Sequence, residues 1–504
     1  MSNTVKAVLG IAAIVFAPML APALLGGMGV AATAVTLGVA TLGITIVGAS
    51  LVGSSAGGSM TSAVDQASVE GYAGAKLQTA KTNIAPVPII YGEHKIGGNI
   101  IFQTTNAAIN GNNTTNGFNR DYWAVMVICD HLLNNHLRCF IGEDEINNGS
   151  NAYWSTEYVH VKLLSPKSNN GTYNIQDINL WLVDDGNNFS GSNTPSLPSL
   201  VIPPNCTFLC IHQVFDGEET KNTAIEPIAL KVEGKKIRTI TNATTIASSL
   251  SYSTNPAEIL LDLLGTGLSI ADSDIDIASF YASKVACAAA GFTCHIALIQ
   301  QANIQSIIAD VLATCRGKIF HSESKWKFKI DTKSQSVADA LTSDDVMSNT
   351  LSISMSGSGN LANKMILKYI NPADEYLSAQ VVKEDSNLQT YDGQVIQKTL
   401  DIKGINNATH ANKLCEIALN SLRYSEDASG NRLKQTPLAI SFATSVKNAH
   451  LEVGDVISLN HALLDRVRKF LILSTTTDQS GVIQISAREY AETHFKNASG
   501  SYLI

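Results

Sequence analysis

The sequence predicts a mainly β protein with an α/β insert, preceded by an apolar helical segment. Three observations predict this class. Short runs with period-two alternation, such as residues 159–163, recur between Asn-, Gly- and Ser-rich loops through residues 84–240. Helix signals cluster after Asn255-Pro256. Strand-like runs then return from residue 351, interrupted by one predicted helix at about residues 408–424.

The first element is an apolar block that contains no charged residue between Lys6 and Asp65. Pro18 and Pro22 are expected to bend or end a first helix. Residues 30–52 then form an uninterrupted apolar run of about 35 Å as a helix, enough to cross a bilayer core of about 30 Å. Glycines recur in this run at five-residue spacing, and such small residues let helices approach one another. They are Gly38, Gly43, Gly48 and Gly53.

Three interpretations of this block remain open on the sequence alone. Lys6, the apolar run and Ala21-Pro22-Ala23 match a secretory signal cleaved before Leu24, although the residues after the cut are equally apolar. A one- or two-pass membrane anchor fits the length and hydropathy. The third interpretation is an apolar bundle that the protein encloses and releases or inserts when it acts.

Composition limits the function. The 504 residues are enough for several domains, and only 15% of them are charged. The net charge of −8 argues against a nucleic-acid-binding surface, because phosphate contacts need clustered Lys and Arg. Eight irregularly spaced cysteines predict mostly buried free thiols in a protein assembled in a reducing cytoplasm.

The folded part is expected to begin at residue 84. Two apolar runs, residues 84–92 and 96–102, flank a polar turn and predict a hairpin that opens a barrel. Short strands at 123–128, 207–214 and 225–232 continue this β region.

The α/β insert has three predicted helices and one strand. Pro256 starts a helix through residues 257–264 that Gly265 ends, and further helices cover 277–289 and about 305–315. Residues 325–330 alternate strictly and place Trp326, Phe328 and Ile330 on one face. The strands predicted after the insert are 351–355, 365–369, 380–383, 398–402, 438–443, 470–473 and 482–487.

No residue pattern predicts catalysis, a cofactor or a metal site. The best metal candidate is the set Cys129, His131, His136 and Cys139, but zinc sites usually place a longer gap between two ligand pairs, so buried thiols and surface histidines are favoured. Cys206 and Cys210 lie too far apart along a strand for an easy disulfide.

Two further candidates are also weak. Cys294 and His295 would point to opposite faces of a strand, so they cannot form a nucleophile pair there. Glu143, Asp144 and Glu145 are interpreted as a surface turn, because nothing positions a partner for a glycosidase pair. The chain is therefore predicted not to be an enzyme.

Several segments, in their order and spacing over about residues 84–492, resemble the central tail-hub family of long-tailed bacteriophages, the tip attachment or "host specificity" proteins. The most distinctive is Asn255-Pro256-Ala257-Glu258-Ile259-Leu260-Leu261-Asp262-Leu263-Leu264. The others are residues 86–98, 129–146, 277–281, 304–330, 363–372, 451–457 and 485–490. Many members continue into receptor-binding parts, whereas this chain ends at Ile504.

The resemblance implies a homotrimer in which two tube-type β-barrel domains per subunit flank a small α/β domain and form a pseudo-sixfold ring. Its expected partners are the distal tail ring protein and other tail-tip proteins, with the tape-measure protein and a separate receptor-binding fibre as further candidates. Phage DNA would pass through the lumen without specific binding. The expected location is the tail tip of a virion made in the host cytoplasm.

The predicted domains follow from this resemblance. They are an apolar segment at residues 1–64, a linker at 65–83, a first barrel region with an insertion at 84–245, an α/β domain at 246–345 and a second barrel region at 346–504. The predicted function is a structural hub that closes the tail tube and opens for genome ejection. The alternatives are a membrane-anchored or secreted bacterial β-rich binding protein and a tail-associated cell-wall hydrolase.

Within such a trimer, we expect the apolar block to have a specific position. Three copies would bundle near the threefold axis as a plug or lining, and the segment would enter the host membrane during ejection. The residues expected to form the plug or membrane-inserting surface are Val30, Val35, Gly38, Gly43, Ile46, Gly48, Leu51 and Gly53.

Overall fold

The computed structural model describes residues 86–105, 121–141, 144–146, 148–149, 153–155, 159–164, 206–214, 228–300, 302–355, 361–478, 480–497 and 499–504. The apolar segment, the linker and the eight candidate plug positions lie outside the described residues: Val30, Val35, Gly38, Gly43, Ile46, Gly48, Leu51 and Gly53. Within the described ranges, no helix is both long and apolar enough to span a membrane. The fold is mainly β with a few helices, as predicted.

The first region, residues 86–252, contains two β-sheets. Its strands are β1 (Ile89–Tyr91), β2 (Glu93–Ile96), β3 (Asn99–Thr105), β4 (Asp121–Cys129), β5 (Leu133–Ile141), β6 (Asp144–Ile146), β7 (Asn148–Gly149), β8 (Tyr153–Ser155), β9 (Val159–Leu164), β10 (Thr207–Val214), β11 (Ile228–Asn242) and β12 (Thr245–Tyr252). One sheet has the order β3-β4-β10-β9-β8-β7, and the other has the order β12-β11-β5-β6, with β2 also paired to β11. Ile100, Met126 and Leu209 from the first sheet share one core with Cys139 and Leu230 from the second. The two sheets therefore enclose a common core.

The hairpin predicted at the start of this region is wrong. β1 pairs with β13 (Ile296–Leu298), β2 pairs with β11, and β3 pairs with β4. Glycines permit these changes of partner. Gly92 has φ +77°, which turns the chain between β1 and β2, and a Cβ on Gly98 would lie 2.5 Å from both Met126 Cγ and Val127 O. The chain thus passes directly from one sheet to the other.

The α/β unit follows β12. Its helices are α1 (Pro256–Asp262), α2 (Ile277–Ala290) and α3 (Ile304–Cys315), and its strands are β13, β14 (Gly317–Ser322) and β15 (Lys325–Ile330). Asn255 caps α1, because its side chain accepts a hydrogen bond from Ala257 N at 3.0 Å. The predicted stop at Gly265 is wrong: a π-helical turn, Leu263–Gly267, continues α1 because Leu263 and Leu264 remain in the core. The predicted face of β15 is confirmed by its alternating burial.

A three-stranded sheet and α5 share the core of the α/β unit. These elements are β18 (Lys364–Asn371), β19 (Leu377–Glu384), α4 (Ser386–Asp392), β20 (Gln397–Asp401) and α5 (Ala408–Arg423), with sheet order β19-β18-β20. Leu260, Phe280 and Val311 of the α/β unit belong to the same hydrophobic cluster as Met365 and Leu414. The largest core therefore extends across residue 345, where the sequence places a domain boundary.

The last region is a six-stranded sheet. Its strands are β16 (Val337–Thr342), β17 (Ser352–Met355), β23 (Leu438–Thr444), β24 (Val456–Asn460), β25 (Arg468–Thr477) and β26 (Ile483–Glu489), in the order β16-β24-β25-β26-β23-β17. The short pair β21 (Ser425–Glu426) and β22 (Arg432–Leu433) lies beside it in sequence.

This sheet is curled. Leu341 of β16, at one edge, and Phe442 of β23, next to the other edge, belong to the same hydrophobic cluster. The chain that leaves β16 also reaches β23: Met347 N donates to Ala443 O at 2.8 Å, and Thr444 Oγ1 donates to Asp345 O at 2.6 Å. The two edges therefore approach each other around a single core.

Candidate functional site

The cysteines carry no reactive chemistry. All eight are free and buried, as predicted. Burial raises the pKa of Cys129, Cys139 and Cys210 to about 12, so these groups are thiols and not thiolates at neutral pH. A thiol is a poor metal ligand and a poor nucleophile, so these three sites are structural.

The predicted metal candidates also have other partners. The Cys129 thiol donates to His131 O at 3.2 Å, and His131 Nε2 accepts from Ile90 N at 3.0 Å. That bond occupies the lone pair that a metal would need. His136 and Cys139 lie on β5, and across the described ranges no group of three or more His, Cys, Asp or Glu side chains is placed to hold a metal ion.

The remaining candidate groups do not form a catalytic pair. Cys294 lies in the main core, whereas His295 Nδ1 accepts from Glu93 N at 3.0 Å, and both residues precede β13 in irregular backbone. The acidic turn prediction is wrong in part, because Asp144 and Glu145 belong to β6 and pair with β5, while Glu143 lies outside the described residues. Glu145 accepts from Arg138 at 3.0 Å on the surface.

The described side chains instead form two polar junctions between the regions. We call the first junction the group that ties β2 and β11 to the turn after β18: Glu93, Lys95, Lys231, His295, Glu375 and Tyr376. Tyr376 Oη donates to Glu93, and Lys231 Nζ lies 3.0 Å from the same carboxylate. Lys95 Nζ lies 2.6 Å from Glu375. Burial and the Glu93 hydrogen bond raise the pKa of Tyr376.

His295 is the central side chain of this first junction. Its ring Nδ1 accepts from Glu93 N in β2, and the backbone N–H of His295 donates to Gly404 O at 2.9 Å. Gly92 packs against it so closely that a Cβ there would lie 2.6 Å from His295 Nδ1. Burial lowers the pKa of His295 to about 3 and that of neighbouring His94 to about 4, so both rings are neutral.

The second junction joins the α/β unit to the curled sheet. It consists of Arg316, Lys318, Asp331 and Arg488. Lys318 Nζ donates to Asp331, Arg488 Nη2 lies 2.7 Å from Asp331 Oδ2, and Arg316 Nη2 lies 3.4 Å from the same oxygen. Burial lowers the pKa of Lys318, and it lowers the pKa of Arg316 to about 9 and of Arg488 to about 10. One carboxylate thus organises three buried cations.

A half-buried group of ion pairs extends this contact. Glu452 lies 2.6 Å from Lys327 Nζ and 3.1 Å from Lys329 Nζ, and it accepts from Ser322 Oγ at 2.7 Å. Burial alone would raise the pKa of Glu452. The hydrogen bonds from Lys327, Ser322 and Lys329 together have the larger effect, so the pKa lies below its usual value. The alternation of Lys325, Lys327 and Lys329 along β15 is the sequence signal that could have indicated this contact, since lysines on one strand face are stabilised by acidic side chains packed opposite them.

Residues 303–475 match a family model described as "Putative phage tail protein". The match begins just before α3 and extends into β25, so it covers part of the α/β unit and most of the curled sheet. No curated protein matches the chain.

The fold is similar to that of a chain in a solved virion structure. A chain from the virion of a native gene transfer agent particle aligns with a TM-score of 0.57 and 10% identity, over 83% of this chain and 88% of that chain. A tail protein from Neisseria meningitidis MC58 aligns at TM-score 0.30 with 8% identity, over 81% and 96% of the two chains. The prophage tail protein gp18 from Listeria monocytogenes EGD-e aligns at TM-score 0.26 with 9% identity, over 71% and 89%.

The family match covers about a third of the chain, and the likeness to the gene transfer agent chain shows a shared fold. The two junctions join separate β regions to the middle core through buried and half-buried polar groups.

Proposed function

We propose that this chain is the structural hub of a bacteriophage tail tip. In this proposal three copies form a ring that ends the tail tube, closes it before infection and opens for DNA ejection. The observation that carries the proposal is the fold likeness to a chain of a gene transfer agent virion over 83% of this chain. The order of the elements, β then α/β then β, supports it.

Two features of the described residues suit a ring subunit. Each β region has its own core, and the α/β core lies between them in sequence. The junctions bind the β regions to that middle core through buried polar groups, which would let a subunit transmit force without separating. We propose the units 84–245, 246–345 and 346–504 as the bodies of the ring, although the last two share a core.

Mass measurement of the purified full-length chain, with negative-stain imaging, tests the ring directly. The expected result is a trimer with a central opening. A stable monomer at micromolar concentration that also fails to assemble with neighbouring tail proteins would overturn the proposal. A periplasmic product lacking its N-terminus would favour a secreted or anchored binding protein, and clearing of peptidoglycan in a zymogram would favour a hydrolase.

We propose that the apolar segment, residues 1–64, plugs or lines the ring and enters the host membrane during ejection. Its candidate contact residues are Val30, Val35, Gly38, Gly43, Ile46, Gly48, Leu51 and Gly53. Deleting residues 7–60 should leave the ring assembled but give tails that leak or fail to deliver DNA. Normal infectivity after the deletion would contradict this role and leave the ring proposal intact.

The proposed partners are other tail proteins. They are the distal tail ring protein and neighbouring tip proteins, with the tape-measure protein and a separate receptor-binding fibre as further contacts. Phage DNA would pass through the lumen without specific binding, and the chain has a net charge of −8, which disfavours retention of phosphates. Pull-down of assembled tails with a tagged chain would identify which neighbours bind directly.

A further inference from the structure

Two buried histidine rings hold the backbone of the first described strand, β1, and of the turn that follows it. Ile90 N, in β1, donates to His131 Nε2 at 3.0 Å, and Glu93 N, at the start of β2, donates to His295 Nδ1 at 3.0 Å. His131 lies in the turn between β4 and β5, whereas His295 lies just before β13. We call these two hydrogen bonds the histidine latch. It ties one short segment both to the first region and to the α/β unit.

Both bonds of the latch require a neutral imidazole. A ring nitrogen accepts a hydrogen bond only while it keeps its lone pair, and both nitrogens of a charged ring carry N–H groups. His131 Nδ1 lies 3.3 Å from Leu132 O, so Nδ1 carries the proton of the neutral ring and Nε2 is the acceptor. A second proton on His131, or on His295, would place one N–H group against another and break the bond to β1 or β2.

The surroundings of His131 disfavour a charged ring. The titratable groups around it are Tyr91 of β1, Cys129 and Asp130 of its own turn, Lys235 of β11 and Asp262 of α1. Asp262 already accepts from Lys235 Nζ at 2.7 Å and from Tyr91 Oη at 2.6 Å. Burial raises the pKa of Asp130, so this carboxylate loses its charge early as the pH falls. Burial, with a contribution from Lys235, lowers the pKa of His131 to about 4.

The surroundings of His295 also disfavour a charged ring. The titratable groups around it are Glu93 and His94 of β2, Cys294 beside it in the chain and His410 of α5. The Glu93 carboxylate already accepts from Tyr376 Oη and lies 3.0 Å from Lys231 Nζ. Burial, together with His94 and His410, lowers the pKa of His295 to about 3. Both rings of the latch are therefore neutral at pH 7.

We propose that the histidine latch is an acid-sensitive release for β1. When both rings take up a proton, β1 keeps its three-residue pairing with β13 and the backbone bonds at Pro88 and Gly92, but it loses both bonds of the latch. β1 is the first described strand, so its release frees the point at which residues 1–85 join the body. The proposal does not depend on ring assembly or on the role of the apolar segment.

The direction of the pH dependence follows from proton linkage. Release exposes the two rings to water and returns their pKa values toward the usual value of about 6.5. The released form therefore binds protons before the latched form does, and release becomes more favourable as the pH falls from about 6.5 toward about 4. The change is local, because the curled sheet does not contact either ring through the bonds of the latch.

Hydrogen–deuterium exchange of the full-length chain tests the release. Peptides that cover residues 86–93 are compared with peptides of β25, with labelling times scaled to the intrinsic exchange rate at each pH. Between about pH 7 and about pH 4.5, protection of residues 86–93 should fall at least about tenfold more than protection of β25. An equal fall in both segments, or no fall in residues 86–93, would overturn the proposal.

Matched variants locate the effect in the two rings. The side-chain oxygens in His131→Gln and His295→Asn can accept the same hydrogen bonds, and neither amide titrates in this range. The double variant should bring the fall in protection of residues 86–93 to within about threefold of that in β25. The control is His461→Asn, because His461 Nδ1 also accepts a backbone bond, from Leu463 N at 3.1 Å, but in an exposed turn. This control should release β1 as the unsubstituted chain does.

Acid release that persists undiminished in the double variant would contradict the latch, and so would its loss in the control. If the double variant misfolds, the two single variants answer the same question. Each should reduce the fall in protection at least about threefold, and an undiminished fall in both would overturn the proposal.

Discussion

The two junctions fasten β regions to the same middle core by opposite chemistry. The first uses neutral histidine, tyrosine hydrogen bonds and close packing at Gly92, with partly exposed lysine–glutamate pairs around it. The second buries a carboxylate under three cations. The stability of the first junction should therefore depend on side-chain packing and on the protonation state of its histidine. The stability of the second should depend on the negative charge of Asp331.

The surrounding architecture differs in parallel. The first region encloses its core between two sheets, and β1 leaves them to pair with β13 of the α/β unit. The curled sheet encloses its own core and meets the α/β unit through side chains such as Arg488 and Glu452. Backbone pairing thus reinforces the first junction, while the second relies on charge.

Asp331→Asn should have the largest effect. It removes the one carboxylate that contacts three buried cations, and breaking such a pair costs about 3–5 kcal/mol. Urea unfolding followed by tryptophan fluorescence measures the loss. The control is Asp344→Asn, an exposed acid near β16 that should change stability by less than about 0.5 kcal/mol. Equal loss in both variants would mean that the buried cations need no carboxylate.

Gly92→Ala tests the first junction and should cost about 2–3 kcal/mol. The residue has φ +77°, and a Cβ would lie 2.6 Å from His295 Nδ1 and 2.9 Å from Cys294 O. The matched control is Gly393→Ala, where φ is +68° but a Cβ meets no atom within 4 Å, so only the backbone cost of about 1 kcal/mol remains. If the two substitutions cost the same, close packing on His295 is not what holds the first junction.

Acid should weaken the first junction through His295 and through His94, which lies between Glu93 and Lys95 of that junction. Their folded-state pKa values, about 4 for His94 and about 3 for His295, lie below the unfolded value of about 6.5. The unfolded chain therefore binds protons first, and stability falls as pH drops from about 6.5 toward 4. Each histidine contributes a slope of up to about 1.4 kcal/mol per pH unit in that window.

The variant His94→Leu isolates this effect. In this variant, the unfolding free energy should fall less steeply between pH 7 and pH 4.5 than in the unsubstituted chain. The slope should decrease by up to about 1.4 kcal/mol per pH unit, the contribution of one bound proton. An unchanged slope would show that the ring of His94 accepts a proton in the folded state without loss.

Local signals made much of the fold predictable, but pairing partners were not. Asn255 caps α1 and Pro256 is its first residue, so the start of this helix was readable locally. The alternating residues of β15 indicated which of its faces is buried. β1 pairs with β13, which begins at Ile296, and the residue pattern of neither strand indicates the other as its partner. β16 was missed because it is an edge strand with Asp339 in it, so it lacks an apolar run.

The junctions were unpredictable for a related reason. Lys318 lies in β14 next to Gly317 and Ile319, and Arg488, which shares the carboxylate of Asp331 with it, is far along the chain. A buried cation is recognisable only when its carboxylate is known to be close in space.

Three turns, by contrast, carry a local sequence signal. The pattern Asp/Asn-x-Ser-Gly occurs at residues 427–431, 478–482 and 497–501. In each turn the first side chain accepts backbone hydrogen bonds and the glycine has φ of 80–84°.

Glu452→Gln should have the smallest effect on stability. The salt dependence of its cost distinguishes the ion pairs beside the second junction from the packing at the first. The carboxylate is partly exposed and faces Lys327 and Lys329, so its loss should cost about 1 kcal/mol at low ionic strength. At about 1 M sodium chloride the Debye length is about 3 Å, and this cost should shrink toward zero. The cost of Gly92→Ala comes from overlap and backbone conformation, so it should not change with salt. If both costs fell together on adding salt, the first junction would depend on its lysine–glutamate pairs more than on packing around His295.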